Sequence, residues 1–197
     1  MMLQVRDLHA YYGKSHILQG VDLQIDAGEV VSLLGRNGVG RSTTVKAIMG
    51  EVAPQGSIRF KGGDIAGLPS YRIAHLGLGY VPEHRDIFPG LTVRQNLMLG
   101  IKDTRRSGKW RLEDMLEMFP NLAARADTAA GVMSGGEKQM LTICRTLLIV
   151  EHDMSVVFGL ADRISVLVYG RVIASGTPEE IRGNLKVKEA YLGEEAA

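Results

Sequence analysis

The chain of 197 residues has one cysteine, Cys144, so no disulfide can form within it, which fits a reducing compartment. It lacks a dominant charge sign: 23 Lys+Arg stand against 22 Asp+Glu, a formal net of +1. That balance argues against a nucleic-acid footprint and against an acidic solvating tail. Long apolar runs are missing too, since Leu147 to Val150 falls far short of the roughly 18 residues a membrane span needs. Met1 to His9 alternates and carries charge, unlike a basic segment followed by an apolar one, so no signal peptide is expected. What the chain does have is glycine, 24 residues placed mostly at turns and loops. Glycine is the residue for positive φ and for close backbone approach. The length suits one compact unit with an insertion.

Leu3 to Asp7 and Ile17 to Ile25 alternate apolar with polar residues and predict a small antiparallel sheet. Glu29 to Leu34 is a continuous β-rich run, expected as a central strand buried on both faces. It feeds a glycine loop and then a helix over Ser42 to Met49. Ser57 to Lys61 and Gly79 to Pro82 read as further short strands, with a helical piece at Ser70 to Leu76 between them. From Thr92 to about Ala130 the pattern turns helical, with Thr92 and Gln95 at capping-box spacing and Gly100 as a stop. The basic run Lys102 to Arg111 has no interleaved aromatics beyond Trp110, so it reads as a solvated loop. Leu112, Met115, Leu116 and Phe119 recur at helical spacing and predict a core face. A helix over Met154 to Ala161, strands at Arg163 to Tyr169 and Arg171 to Ala174, and a last helix opened by Thr177-Pro178-Glu179-Glu180 complete the chain.

Gly35-Arg36-Asn37-Gly38-Val39-Gly40-Arg41-Ser42-Thr43 lies between the buried run and the helix, the setting of a phosphate-binding loop. It fits G-x-x-x-x-G-K-[ST] except at Arg41, where the motif has lysine. There the N–H groups of a glycine turn and a helix N-terminus face phosphate oxygens, and the Ser42 hydroxyl is placed for Mg²⁺. Arginine keeps the charge but brings a wider planar fork than lysine. Further on, Ser134-Gly135-Gly136-Glu137 opens an amphipathic helix with Met140, Leu141, Cys144, Leu147 and Leu148 on one face. By itself the Ser134 and Glu137 pair is a capping box.

Together, the two motifs resemble those of ATP-binding subunits of ABC transporters, whose signature is Leu-Ser-Gly-Gly-Glu; here Met133 stands in place of the leucine. The resemblance implies a P-loop α/β fold: a mixed central sheet, an antiparallel β subdomain and a helical insert. It further implies one nucleotide-binding domain over 1–197, with residues 92–130 as the helical subdomain. It assigns Tyr12 to adenine, Glu83 to the Q-loop position that contacts Mg²⁺ and the attacking water, and His152 to the γ-phosphate switch. ATP and Mg²⁺ follow as ligands, and a homologous ATPase subunit and membrane permease subunits as partners. The implied location is the inner face of the cell membrane, with no nucleic acid involved. Val81-Pro82-Glu83, Ile87 to Val93, Val150-Glu151-His152-Asp153 and Glu189-Ala190-Tyr191-Leu192-Gly193 make the chain most similar to the ATPases of branched-chain amino-acid importers.

One part of that family's pattern is absent. Between signature helix and switch histidine the family carries Walker B, four apolar residues followed by Asp-Glu, then a D-loop, a helix and a strand. Such a passage takes roughly 30 or more residues. Ser134 and His152 are too close in sequence to hold it, and no Asp-Glu pair occurs anywhere in the chain. No Gly, Pro, Asn, Asp or Ser lies between Gly136 and Glu151 to turn helix into strand. The expectation is a long helix that ends shortly before a strand at Ile149 to Glu151, from a fold that has lost one central strand and helix. The alternative to a working importer ATPase is therefore a catalytically impaired nucleotide-binding remnant or regulatory module.

Overall fold

The computed structural model describes residues 1–82, 86–100, 112–145 and 161–192. Glu83, His152, the basic run 102–111 and the junction 146–160 lie outside them, as does the expected helix-to-strand passage. The chain divides into two compact units, residues 1–78 with the C-terminal segment, and residues 79–149.

In the first unit, β1 (Leu3–Tyr12) and β2 (Ser15–Ile25) pair antiparallel, and β1 also pairs with β4 (Pro54–Phe60), which carries the two-residue β5 (Gly63–Asp64). The sheet order is β2-β1-β4-β5. Alternation sets its buried face: Val5, Leu8, Ala10, Leu18, Val21 and Ile58 are fully buried. The strands extend beyond the expected limits because hairpin pairing carries the ladder to Tyr12 and Ser15, past the point where apolar residues alternate.

The second sheet of this unit has the order β3-β6-β7. Strand β3 (Val31–Leu34) pairs parallel with β6 (Arg163–Val168), which pairs antiparallel with β7 (Arg171–Gly176). The expectation that the β3 segment is buried on both faces is corrected. Val30 is 53% exposed, and of the strand itself only Leu34 is buried. Among the described residues β3 has a ladder neighbour on one side, and its other flank lacks the cover a central parallel strand receives. Ile164, Val166 and Leu34 instead pack with Ile181 and Val187 of the C-terminal helices α7 (Pro178–Gly183) and α8 (Leu185–Leu192). These two replace the single last helix expected: Asn184 leaves helical geometry at ψ 117°, and its side chain accepts from the Val187 N–H to start the next helix. Thr177 and Glu180 form the capping box at the start of α7.

The second unit is helical: α3 (Val93–Met98), α4 (Leu112–Met118), α5 (Pro120–Ala123), a 3₁₀ turn (Ala130–Val132) and α6 (Gly135–Arg145). The strand expected at Gly79 to Pro82 is not formed, because those residues have no ladder partner among the described residues. Thr92 and Gln95 make the expected reciprocal cap on α3. The core joins Val93, Leu97, Leu122, Ala130, Met133, Leu141 and Cys144, with Leu112, Met115, Leu116, Phe119 and Met140 packed against it. Met115, as its spacing implies, and Met133 and Met140 belong to this core, while Met98 and Met118 are exposed. Asn96, fully buried, accepts from the Phe88 N–H and donates to the carbonyls of Phe88, Leu91 and Thr92, which fixes the segment entering α3.

Candidate nucleotide site

Strand β3 delivers the glycine loop to α1 (Arg41–Ile48), the short helix that begins at its end. Gly40, with φ at 110°, is the left-handed residue that precedes the helix, and Gly38 has φ at 81°. Gly40, at the N-cap position, has no side chain with which to cap α1. The loop is braced from two directions within its own unit. A Cβ on Gly35 would lie 2.5 Å from the Leu167 carbonyl oxygen, so β6 presses directly on the loop's first residue. The Gly170 N–H, in the β6–β7 turn, donates to the Val39 carbonyl at 3.0 Å. Inside α1 the buried Thr44 hydroxyl donates back to the Gly40 carbonyl at 2.9 Å.

The loop opens on a cavity of about 720 Å³ lined by Gly35, Arg36, Asn37 and Arg41. Two arginines therefore border it, which makes it a cationic recess suited to an anionic group. Arg41 donates through Nη2 to the Asn37 side-chain oxygen at 3.1 Å, a bond that spans the loop. Ser42 and Thr43 occupy the first turn of α1, Thr43 being buried. Tyr12 ends β1 beside the hairpin turn and is 49% exposed, so part of it is open to solvent.

In the second unit, Ser134 to Glu137 form a closed cap on α6. The Glu137 carboxylate accepts from the Ser134 N–H at 2.8 Å, and the Glu137 N–H donates to the Ser134 hydroxyl at 3.3 Å. The bond from the Ser134 backbone, followed by that from its side chain, holds the Glu137 carboxyl below its ordinary range, and Arg125 at 3.3 Å adds to it. Gly135 and Gly136 are exposed. The Cys144 thiol, about two turns further along α6, is pushed up to about 11 by burial and is a packing residue. The structure thus describes Tyr12 and the glycine loop in one unit and Ser134 to Glu137 in the other, while Glu83 and His152 fall outside the described residues. Sequence reading missed Thr44, the brace from Gly170 and the Asn37–Arg41 bond. Only the asparagine four residues before an arginine gave any local signal.

Residues 18–153 match the ABC transporter family, and residues 171–197 match the branched-chain amino acid ATP-binding cassette transporter family. The chain belongs to the ABC transporter ATP-binding family. Its ABC relatives include the high-affinity branched-chain amino acid transport ATP-binding protein BraG of Pseudomonas aeruginosa, 34% identical over 98% of this chain and 100% of that one. The lipopolysaccharide export system ATP-binding protein LptB of Haemophilus influenzae is 29% identical, over 98% of each chain. The crystal structure of the ADP conformation of MJ1267, an ATP-binding cassette of an ABC transporter, superposes with a TM-score of 0.81 at 24% identity over 98% of each chain, which shows the ABC fold. The alignment to BraG runs over 232 positions, and this chain has 197 residues to fill them, so at least 35 positions face a gap in it. An internal shortfall of that size agrees with the absent Walker B passage. Membership in the ABC family carries nucleotide binding with it, and ABC ATP-binding subunits generally dimerise and pair with membrane permeases. Among the described residues no helix is long and apolar enough to cross a membrane.

Proposed function

We propose that this chain is the ATP-binding subunit of an importer for branched-chain amino acids or related amino acids or amides, and that it binds ATP but turns it over slowly. The cationic recess at the strand-to-helix turn, bounded by Gly35, Arg36, Asn37 and Arg41, is the observation that carries nucleotide binding. The nucleotide phosphates rest against the N–H groups from Gly38 to Thr43, with Ser42 and Glu83 as the Mg²⁺ ligands and Tyr12 against adenine. His152 and the Ser134 to Glu137 helix start act on the γ-phosphate, the latter from a paired ATPase subunit. Residues 1–197 act as one nucleotide-binding domain with 92–130 as its helical subdomain. Similarity over the body of the chain extends to an export-system subunit, so the solute class rests on residues 171–197.

Slow turnover follows from the residues that are missing. In phosphoryl transfer the metal-holding carboxylate and the group that orients water provide most of the catalysis, through positioning and charge. This sequence has no Asp-Glu after an apolar run to supply either. The test is Mg-ATP binding and turnover by the purified chain, alone and with its permease in vesicles. Binding with turnover at least ~100-fold below the ~1–10³ s⁻¹ common to enzymes is expected. Turnover within that range would overturn the impaired reading, and absence of any ATP binding would overturn both. Leucine uptake driven by a complex containing the chain would support the solute class; uptake of an unrelated solute instead would remove it.

A further inference from the structure

A group of side chains on the first hairpin, apart from the nucleotide recess, is arranged with more backbone constraint than a solvent face requires. Both ladders of β1 slip at the same place, between Val5 and Leu8 against β2 and between Arg6 and His9 against β4. Asp7 sits in that bulge with φ at 47°, a left-handed conformation uncommon outside glycine. Its neighbours on both flanking strands are glycines. A Cβ on Gly56 would fall 2.2 Å from the Asp7 carbonyl oxygen, and one on Gly20 would fall 3.0 Å from Asp7 Oδ1. The Asp7 N–H is held by Asp22 Oδ1 at 3.0 Å.

The bulge aims the Asp7 carboxylate at His9, with Oδ1 2.9 Å from Nε2. The other ring nitrogen of His9, Nδ1, is 3.0 Å from Nε2 of His16 on the neighbouring strand. The His16 ring in turn stacks on Tyr11, centroids 4.3 Å apart and planes 12° from parallel. His16 is exposed and His9 partly so, so the pair is reachable from solvent.

We propose that His9 and His16 form a surface site for a borderline divalent transition-metal ion, Zn²⁺, Ni²⁺ or Cu²⁺, with water completing the coordination. Two imidazole nitrogens bound at ~2.0–2.1 Å to one ion with an angle near 90–100° stand about 3 Å apart, which is the separation found. Asp7 supplies what such a ligand needs on its far side. By accepting the proton of His9 Nε2 it leaves the Nδ1 lone pair directed at the partner ring, and it raises the basicity of that ligand. The ion takes the place of the single proton between the rings, which shifts from Nε2 of His16 to its Nδ1. Neutral rings thus release no net proton on binding. The chemistry differs from that of the nucleotide recess, where oxygen ligands and Mg²⁺ apply.

The experiment is a calorimetric titration of the full chain with Zn²⁺ and with Ni²⁺ at neutral pH, without nucleotide and with excess Mg²⁺ present. One ion per hairpin site is expected. His9→Ala and His16→Ala each weaken it at least ~10-fold, and Asp7→Asn weakens it less than either, in the direction of the ~10–100-fold losses seen for partners of metal ligands. The control His75→Ala, a change at an exposed histidine elsewhere in the unit, leaves it unchanged. His16→Gln retains an amide hydrogen bond without an imidazole, so a fold kept by this variant together with lost binding separates ligation from structural support. No saturable binding, or binding undiminished in both alanine variants, would overturn the proposal.

Discussion

The glycine loop at Gly35 to Gly40 and the start of α6 at Ser134 to Glu137 both end an irregular segment in a helix N-terminus, yet they are built from different materials. The loop is made of backbone. Its φ values are positive at Gly38 and Gly40, and backbone from β6 and from the β6–β7 turn presses on it. The α6 start is made of side chains, with Ser134 and Glu137 exchanging hydrogen bonds over open space. A loop set by its backbone leaves little choice at Gly35 and Gly40, where a Cβ would meet a neighbour at 2.5 and 2.7 Å, whereas a side-chain cap tolerates related residues at modest cost.

The sharpest way to separate the two is through the brace of the loop. Gly170 has φ at 74°, and a Cβ there would lie 2.0 Å from the Ile17 carbonyl oxygen. Gly170→Ala must move either β2 or the turn whose N–H holds Val39, and the Gln19 N–H bond to the Gly170 carbonyl goes with it. A loss of about 3 kcal/mol or more is expected, since strain and a displaced hydrogen bond combine. Denaturant unfolding reads the stability, and a fluorescent ATP analogue reads the loop. A variant as stable as the parent would show that the brace is not needed.

An ion pair at the entry to β3 gives the next largest effect. Arg163 donates to both Glu29 carboxylate oxygens, at 2.7 and 3.1 Å, and also to the Gln24 carbonyl. The hydrogen bond from Arg163 holds the Glu29 carboxyl below its usual 4.5, against the opposing effect of burial. Because the folded pKa is depressed, the stabilisation is present above about pH 4.5 and is lost as pH falls through the lower folded value. Glu29→Gln is expected to cost about 1–2 kcal/mol at pH 7 and much less at pH 3. An equal cost at both pH values would show that the charge is irrelevant there.

Ser134→Ala removes one half of the α6 cap and is expected to cost about 1 kcal/mol, with Ser134→Thr close to neutral. Measured unfolding free energies that rank the two variants the other way would contradict a side-chain-built helix start.

What could be read in the sequence follows the same division between local and distant partners. Capping boxes at Thr92, Ser134 and Thr177 are i to i+3 relations and were visible from spacing alone. The glycine loop was visible because a β-rich run and a helical pattern border it. The Asp7 bulge, the Gly56 contact with Asp7 and the Gly170 contact with Ile17 were not visible, because each depends on which strand lies alongside. Asn96 reads as an ordinary helix residue until the segment at Phe88 folds back over it. The break between α7 and α8 carried a signal, Gly183-Asn184, that a continuous charged pattern concealed.

Gly136 provides the smallest effect and the clearest contrast. Its φ is not positive, it lies inside α6, and a Cβ built on it meets nothing within 4 Å. Folding has no use for glycine there, and replacing it by alanine removes unfolded-chain freedom while improving helix propensity. Gly136→Ala is therefore expected to raise stability by about 0.5–1 kcal/mol, the opposite sign from Gly170→Ala. If the helix start receives a phosphate from a paired subunit, the same variant lowers ATP-dependent dimerisation in a light-scattering assay while the chain melts later. A gain in stability with dimerisation unchanged would leave the exposed glycine without a ligand to explain it, and a loss of stability would mean that α6 is not built as its capping geometry indicates.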